Sequence, residues 1–594
     1  MMKKYFVKIV AVFFIVCFSV QAIAQNNSRA RSDAFNQQQR KMLQMLQMLN
    51  YYYVDTIDMS NIVEKGIIEM LKELDPHSVY IAKKDLQKTT EPLQGNFEGV
   101  GVQFQIMKDT LVVVQPVKGG PAESVGIQIG DKIITIDDSV AVGKICTNDW
   151  VFKKLRGKKG TKVVVQVKRG NNPDLLTFTI IRDKIPINSI ESYFMVDDKT
   201  GYIKLERFSQ TTHTEFLDAM KVLKEQGMEN LVLDLRDNGG GYLNTAIEMS
   251  DEFLSGDKLI VYTQNNQDYN KINYNAKQEG CFEKGRLVVL INEYSASAAE
   301  ILSGSIQDWD RGIIIGRRSF GKGLVQSQLG LPDGSYVRLT TSRYYIPSGR
   351  CIQKPYEGVE DYSRDVIKRY NSGELIHADS IHFPDSLKFY TDGKRVVYGG
   401  GGIMPDIFVP IDTTKVSDYY WQLFRNNIFN QFVFEYLTEA NKKQILSQYA
   451  NFEDFNKNFQ VDKQIMSQFY AFAKKEYISD SLKFDMKAYL EGFIEANKDT
   501  LGKVFESYAK VKNTDQLKKM FVEYVDKIQA DHNQREQDFD TDKYIQRQIK
   551  TLIARNIYSA RESTKIWLED DEMYRKALEV INDKNTFKKY KIKY

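Results

Sequence analysis

The chain has 594 residues, too many for a single hydrophobic core, and at 42% apolar and 27% charged it is composed like folded domains, which excludes a disordered or fibrous protein. Its 82 basic and 78 acidic side chains nearly balance, more closely still beyond residue 24, so no general field for nucleic acid results. Beyond that point Cys146, Cys281 and Cys351 remain without a C-x-x-C, and the five histidines form no H-E-x-x-H, so neither a disulfide framework nor a metal centre is indicated and no cofactor is expected.

Residues 1–24 carry Lys3, Lys4 and Lys8, then an apolar run, then Ala22-Ile23-Ala24, the three parts of a secretory signal. Cleavage after Ala24 and export to the periplasm are expected; an uncleaved segment is the alternative and the one expected route to a membrane. Residues 25–92 form an N-terminal helical segment. There Val63, Ile67, Met70, Leu71 and Leu74 keep a helical period that Asp75-Pro76 ends, and KMLQMLQMLNYYY (41–53) is apolar around much of its circumference, as a packing or homodimer surface would be. Residues 93–184 change to short strands separated by glycines: VGVQFQI, TLVVVQPV, KIITID, KVVVQVKR and LTFTIIR. From 185 to 410 strands (GYIKLERF, NLVLDLR, RLVVLIN, GIIIG) alternate with helical stretches (TEFLDAMKVLKEQG, ASAAEILSGSIQDW), which predicts an α/β layer structure. Residues 411–594 contain no proline and only Gly492 and Gly502, and QFVFEYLTEANKKQILSQY and QLKKMFVEYVDKIQ have helical spacing, so an all-α C-terminal domain is expected.

Gly316 to Lys322 has the G-x-x-x-x-G-K spacing of a phosphate-binding loop, but residue 323 is Gly where a magnesium-binding hydroxyl belongs. That loop must also open a helix, whereas LVQSQLGLPDGSYVRLTTSRYY reads as a hairpin turning at Leu331-Pro332-Asp333-Gly334. A lysine has another use. Burial favours its neutral amine, which can deprotonate a serine nucleophile. The serine best placed is Ser297, at the turn between strand RLVVLIN and the helix that follows. Ser297-Ala298-Ala299-Glu300 equally fits a capping box, and the two roles are compatible because a helix N-terminus offers N–H groups to an oxyanion. Gly239-Gly240-Gly241, after strand NLVL, reads either as a close-approach loop able to complete an oxyanion hole or as an ordinary strand-to-helix turn.

These pieces, in this order, resemble the C-terminal processing peptidases (tail-specific proteases), secreted serine peptidases with a Ser-Lys pair. The matching stretches are DPHSVYI (75–81), FEGVGVQF (97–104), GYIKLERFSQ (201–210), LVLDLRDNGGG (231–241), SASAAEIL (295–302), RSFGKGLVQ (318–326), LPDGSYVRLTTSRYYIPSGRCIQ (331–353) and GGGGIMPDI (399–407). The resemblance runs from about 35 to 410 and does not reach the helical tail. It implies a ClpP/crotonase-like α/β peptidase core with an inserted PDZ domain. It implies Ser297 as nucleophile, Lys322 as general base, Gln326 as the partner of the lysine amine, and amides of Ala298 and of Gly239 or Gly240 as the oxyanion hole. Asp308 matches a residue sometimes counted as a third catalytic member; some 16 Å along the helix from Ser297, it reads instead as structural, paired with Arg311. In the PDZ domain the resemblance makes Gly99, Val100, Gly101 and Val102 the carboxylate-binding loop, with Val100, Val102 and Phe104 lining an apolar pocket for a peptide added as a strand. The expected partners are proteins or peptides with apolar C-termini, besides a possible second copy or adaptor. A catalytically silent peptide-binding chaperone, or a hydrolase of small esters or β-lactams, are the rival readings.

Overall fold

The computed structural model describes residues 33–107, 109–170, 172–265, 271–356, 362–381, 383–411, 417–481 and 541–594. The signal segment and QLKKMFVEYVDKIQ lie outside them. The chain divides into an N-terminal unit ending at Tyr80 and a second unit from Ile81 to Tyr594. The N-terminal unit contains helix α1 (33–52), with Met42, Met45, Met48, Tyr51 and Tyr52 exposed, and α2 (Met59–Lys72), capped by the Asp58 side chain. Past α2, the buried Asp75 carboxylate accepts from the His77 and Ser78 amides, closing the turn that Pro76 enforces.

In the second unit α3 (Leu86–Gln94) leads into the strand-rich module. Its sheet runs β1 (Val102–Met107), β2 (Thr110–Pro116), β3 (Lys132–Ile136), β4 (Lys162–Lys168) and β5 (Leu176–Ile181), paired in that order. Period-2 alternation sends Leu111, Val113, Val163, Val165 and Val167 into one core. Helix α4 (Asn148–Leu155), which the sequence reading did not single out, packs Val151 and Leu155 into the same core. The module's two ends meet as an antiparallel ribbon, Asn96–Gly99 against Asp183–Pro186, so it is an insertion with adjacent entry and exit.

The α/β region that follows holds a six-stranded sheet and a second sheet. It is built from β6 (Ile190–Met195), β7 (Thr200–Leu205), α5 (Thr212–Glu225), β8 (Asn230–Asp234), α6 (Leu243–Asp251), β9 (Leu259–Gln264), β10 (Lys271–Asn275), β11 (Leu287–Ile291), α7 (Ala298–Asp308), β12 (Ile313–Gly316), β13 (Leu324–Gly330), β14 (Tyr336–Tyr345) and β15 (Ile407–Phe408). The order across the sheet is β6-β7-β8-β11-β12-β15, parallel except for β6 with β7. Strands β9, β10, β13 and β14 form a second sheet, β13 and β14 being the expected hairpin.

Both faces of the six-stranded sheet are covered, which is why its strands read as unbroken apolar runs. Leu231, Leu233, Leu287, Val289 and Ile291 face α5, α6 and α7. Val232, Val288, Leu290, Ile313 and Ile315 face the C-terminal helices. Those helices are α8 (Asp418–Arg425), α9 (Ile428–Tyr436), α10 (Glu439–Gln448), α11 (Phe452–Asn458), α12 (Lys463–Ser481), α13 (Thr541–Ile557), α14 (Ala560–Leu568), α15 (Glu572–Asn582) and α16 (Lys584–Lys589). Helices α8 to α13 share a core around Phe429, Phe455 and Phe469. Leu568, Met573, Tyr574, Ala577, Ile581 and Phe587, from α14 to α16, pack instead on the sheet. The expected boundary at residue 410 is therefore corrected: the last helices are one layer of the α/β region.

The expected pairing of Asp308 with Arg311 is corrected. The Asp308 carboxylate meets Arg350 at 2.8 Å, with both side chains wholly buried, and accepts the Ser348 amide at 2.9 Å. Arg311 donates to the carbonyls of Phe253, Gly285 and Phe282. Replacing Asp308 by Ala leaves Arg350 buried and uncompensated and is expected to lower unfolding stability by about 3–5 kcal/mol in a denaturant titration. The double replacement Asp308→Leu with Arg350→Met is expected to cost less than the single change.

Candidate active site

Strand β11 ends at Ile291, and a tight turn carries the chain to Ser297. Asn292 N donates to Ser295 Oγ (2.9 Å), and Ser295 Oγ donates to Leu235 O (2.8 Å), fastening the turn to the end of β8. The next residue, Ala296, donates its N–H to Asn238 O at 2.9 Å. Ser297 itself sits at φ 56°, ψ −113°, a region a non-glycine residue enters at about 1–3 kcal/mol of strain. Such a kink between strand and helix lifts a serine hydroxyl above the end of the sheet. Ser297 is the N-cap residue of α7, and its backbone N–H donates to Glu300 Oε2 at 2.8 Å, the glutamate half of the capping box foreseen in the sequence.

Glu300 is the centre of the arrangement. It is fully buried, and burial pushes its carboxyl up while four hydrogen bonds pull it back down. Oε2 accepts the N–H of Ser297 and the N–H of Lys322, each at 2.8 Å. Oε1 accepts the Gly321 N–H at 2.7 Å and the Ser319 hydroxyl. One carboxylate oxygen thus ties together the backbones of two residues 25 positions apart. On the carbonyl side Tyr344 makes the matching bridge, its hydroxyl lying 2.5 Å from Lys322 O and 3.1 Å from Ser297 O. Burial, with the Glu300 charge beside it, holds that phenol well above its ordinary pKa, so it remains a donor. The structure therefore brings Ser297 and Lys322 together, both half-buried. Glu300 was visible in the sequence only as a cap; nothing in local spacing pointed to Tyr344, which belongs to the far strand of the hairpin.

Lys322 lies in the loop after β12, and no helix follows, which removes the phosphate-loop reading. Gly323 has a packing reason: a Cβ there would fall 2.8 Å from Gln353 N. Gln326 lies on β13, where its amide donates to Thr340 Oγ1 at 3.4 Å. A bulge separates Val325 from Gln326 and Lys322 precedes the strand, so simple alternation does not put Lys322 and Gln326 on one face.

The glycine loop after β8 approaches Ser297 closely. A Cβ on Gly240 (φ 93°) would stand 2.8 Å from Ser297 Cβ and 2.9 Å from Ala298 N, so only glycine fits. The Gly240 N–H, however, donates to Asn238 Oδ1 at 2.8 Å and is already used. The N–H groups of Gly239, which is exposed, and of Ala298, first in its helix, have no acceptor among the described residues. Behind the loop Asp234 is wholly buried; burial works to raise its carboxyl, but the Arg236 and Lys204 charges overcome this and hold it well below the usual range.

In the strand-rich module β1 is an edge strand, preceded by Gly99 at the end of the ribbon and by Gly101 at φ 75°. Val100 is buried in the module's core, while Val102 and Phe104 lie half-buried along the edge. Phe104 meets Phe152 of α4 with ring centroids 5.4 Å apart, and Arg156 stacks on Phe152 and Phe97 at 4.9 Å from each ring. Phe152 and Arg156 are the residues at this edge that the sequence reading missed. Among the described residues no group of three or more His, Cys, Asp or Glu has the arrangement of a metal site, and no helix is long and apolar enough to cross a membrane.

Residues 199–362 match peptidase family S41, residues 99–180 match the PDZ domain, and residues 419–496 match a family of unknown function, DUF8443. A protein described as a probable CtpA-like serine protease from Staphylococcus haemolyticus (strain JCSC1435) is 30% identical over 355 residues, covering 59% of this chain and 70% of the relative. The chain belongs to the C-terminal processing peptidases of family S41. Its counterpart from Staphylococcus aureus (strain COL) is 32% identical over 313 residues, 52% of this chain and 62% of that one, so the match leaves more than a third of this relative uncovered. Among solved structures, the photosystem II D1 C-terminal processing protease is 29% identical with a TM-score of 0.31, covering 53% of this chain and 84% of that one.

If Glu300 and Tyr344 fix the spacing of this S41 site, Tyr344→Phe is expected to lower kcat/KM by about tenfold and Glu300→Gln by about a hundredfold. Peptide-hydrolysis kinetics, with circular dichroism to establish equal folding, read the difference; unchanged kinetics in both would remove the positioning role.

Proposed function

We propose that the chain is an exported serine endopeptidase that recognises apolar C-terminal tails through its PDZ domain and cleaves near them by a Ser-Lys acyl-enzyme mechanism. The observation that carries the reading is the strained Ser297, hydrogen-bonded through Glu300 and Tyr344 to the backbone of Lys322. The neutral Lys322 amine takes the Ser297 proton as Oγ attacks the scissile carbonyl, and Gln326 orients the amine. The Gly239 and Ala298 amides receive the developing oxyanion. The lysine returns the proton to the leaving amine, and a water, deprotonated the same way, releases the acid from Ser297. Gly240 leaves the oxyanion hole in this account, because Asn238 occupies its N–H. The relatives are described as serine proteases, and the PDZ match implies peptide binding.

The preference for apolar tails rests on β1, whose free edge offers backbone pairing beside Val102, Phe104 and Phe152. Export to the periplasm rests on the signal pattern of residues 1–24. The apolar circumference of α1 is the surface assigned to a second copy or an adaptor.

The test is incubation of wild type, Ser297→Ala and Lys322→Ala with an unfolded protein ending in an apolar tail, beside the same protein ending in acidic residues. Wild type is expected to cleave the apolar-tailed protein faster, and each variant to lose at least about 10³-fold in rate. Equal cleavage by all three would sink the mechanism. Equal cleavage of both tails would remove the PDZ preference, and no cleavage by wild type would favour the silent peptide-binding reading.

A further inference from the structure

The loop that presents Gly239 is anchored from a part of the chain that the peptidase-family match does not reach. Arg236, three residues before Gly239, is almost fully buried. Its Nε and NH2 donate to the Asp234 carboxylate, and Asp234 also accepts from the Tyr202 hydroxyl at 2.8 Å. The remaining terminal nitrogen, NH1, donates to both oxygens of Asp571, at 2.8 and 2.7 Å, and the Trp567 ring lies 5.5 Å from the guanidinium carbon. Every face of the guanidinium fork is thereby engaged, half of it by residues more than 330 positions downstream.

Asp571 is itself held, because it caps α15 and accepts the Tyr574 N–H at 2.7 Å, while Tyr574 packs edge-on against Tyr202 with ring centroids 5.5 Å apart. On this side the loop faces the C-terminal helices across an open space. It borders a cavity of about 770 Å³, whose wall includes Asp237, Asn292, Tyr294 and Arg317 from the core and Arg547 and Trp567 from the helices. Arg236 and Asp571 both line it, joined through NH1. On the other side Asn238 donates from its side chain to Leu205 O and accepts the Ala296 N–H, so any shift of the loop is passed directly to the residue before Ser297.

We propose that Asp571 is a positioning residue of the peptidase site: through Arg236 it holds the 235–241 loop, and with it the Gly239 donor, against the Ser297 turn. The C-terminal helices are then a working part of the active site as well as a cover for the sheet. The inference rests on the reading of Ser297 as nucleophile and Gly239 as oxyanion donor. Two nitrogens on Asp234 and the third on Asp571 leave the Arg236 guanidinium no free direction, which fixes orientation as well as distance, the property an oxyanion donor needs.

Asp571→Asn is the discriminating variant, because asparagine caps a helix as well as aspartate does but lacks the charge and one of the two acceptor oxygens. In the full-length protein kcat is expected to fall about tenfold or more, with KM changed less than about twofold. Amide hydrogen exchange is expected to quicken in 235–241 and to stay at the wild-type rate in α15. In an Arg236→Ala background Asp571→Asn is expected to change kcat no further. Wild-type exchange in 235–241 overturns the proposal, whatever happens to kcat, and so does faster exchange spread over α14 to α16, which would mean lost docking. If wild type has no Ser297-dependent hydrolysis, the functional reading fails on its own, and the exchange comparison still decides whether Asp571 holds the loop.

Discussion

A single buried carboxylate organises the catalytic end of this molecule. Glu300 collects the backbone amides of Ser297, Gly321 and Lys322 together with the Ser319 hydroxyl, all from within the interior. An uncompensated carboxylate there would be costly, and the four donors are what make its burial tolerable. The same condition fixes the loops, since each donor must stay in place for the charge to remain satisfied. Tyr344 repeats the tie on the carbonyl side, so the separation of the two residues is set by backbone hydrogen bonds and not by the flexible lysine chain.

That clasp works because the elements bearing it cannot drift. Ser297 follows β11, Lys322 follows β12 and the glycine loop follows β8, three neighbouring strands of one parallel sheet. Parallel strands deliver all their following loops to the same edge, which is where ligand sites in such sheets are built. The sheet is rigid because it is covered twice, by α5 to α7 on one face and by α14 to α16 on the other. The hairpin β13–β14 then supplies Tyr344 from outside the sheet, closing the arrangement.

Much of this was legible in the sequence, and the parts that were not have a common cause. The strands, the hairpin, the kink at Ser297 and the glycine loop are local, and local patterns reported them. Asp308 pairs with Arg350, 42 positions away, and not with Arg311, because a buried acid takes whichever guanidinium the fold brings to it. Tyr344 and Asp571 contribute through contacts of long sequence separation. The alternation of strands and helices announced an α/β layer structure, but it could not say which residues covered the sheet's second face. Reading a separate domain from residue 411 onward missed it, since helical spacing reports an apolar stripe and not the surface it meets.

The glycines around Lys322 illustrate how one pattern serves unrelated chemistry. A phosphate loop uses glycine so that many N–H groups can point at an anion. Here the loop amides also converge on an anion, the Glu300 carboxylate, but that anion belongs to the protein and is buried with them. Gly321 (φ 88°) permits the turn, and Gly323 lets the chain pass against Gln353, where the hydroxyl of a phosphate loop would not fit. The anion-binding geometry that made the sequence look like a nucleotide site is real; its ligand is an internal side chain, and its effect is to hold a lysine beside a serine.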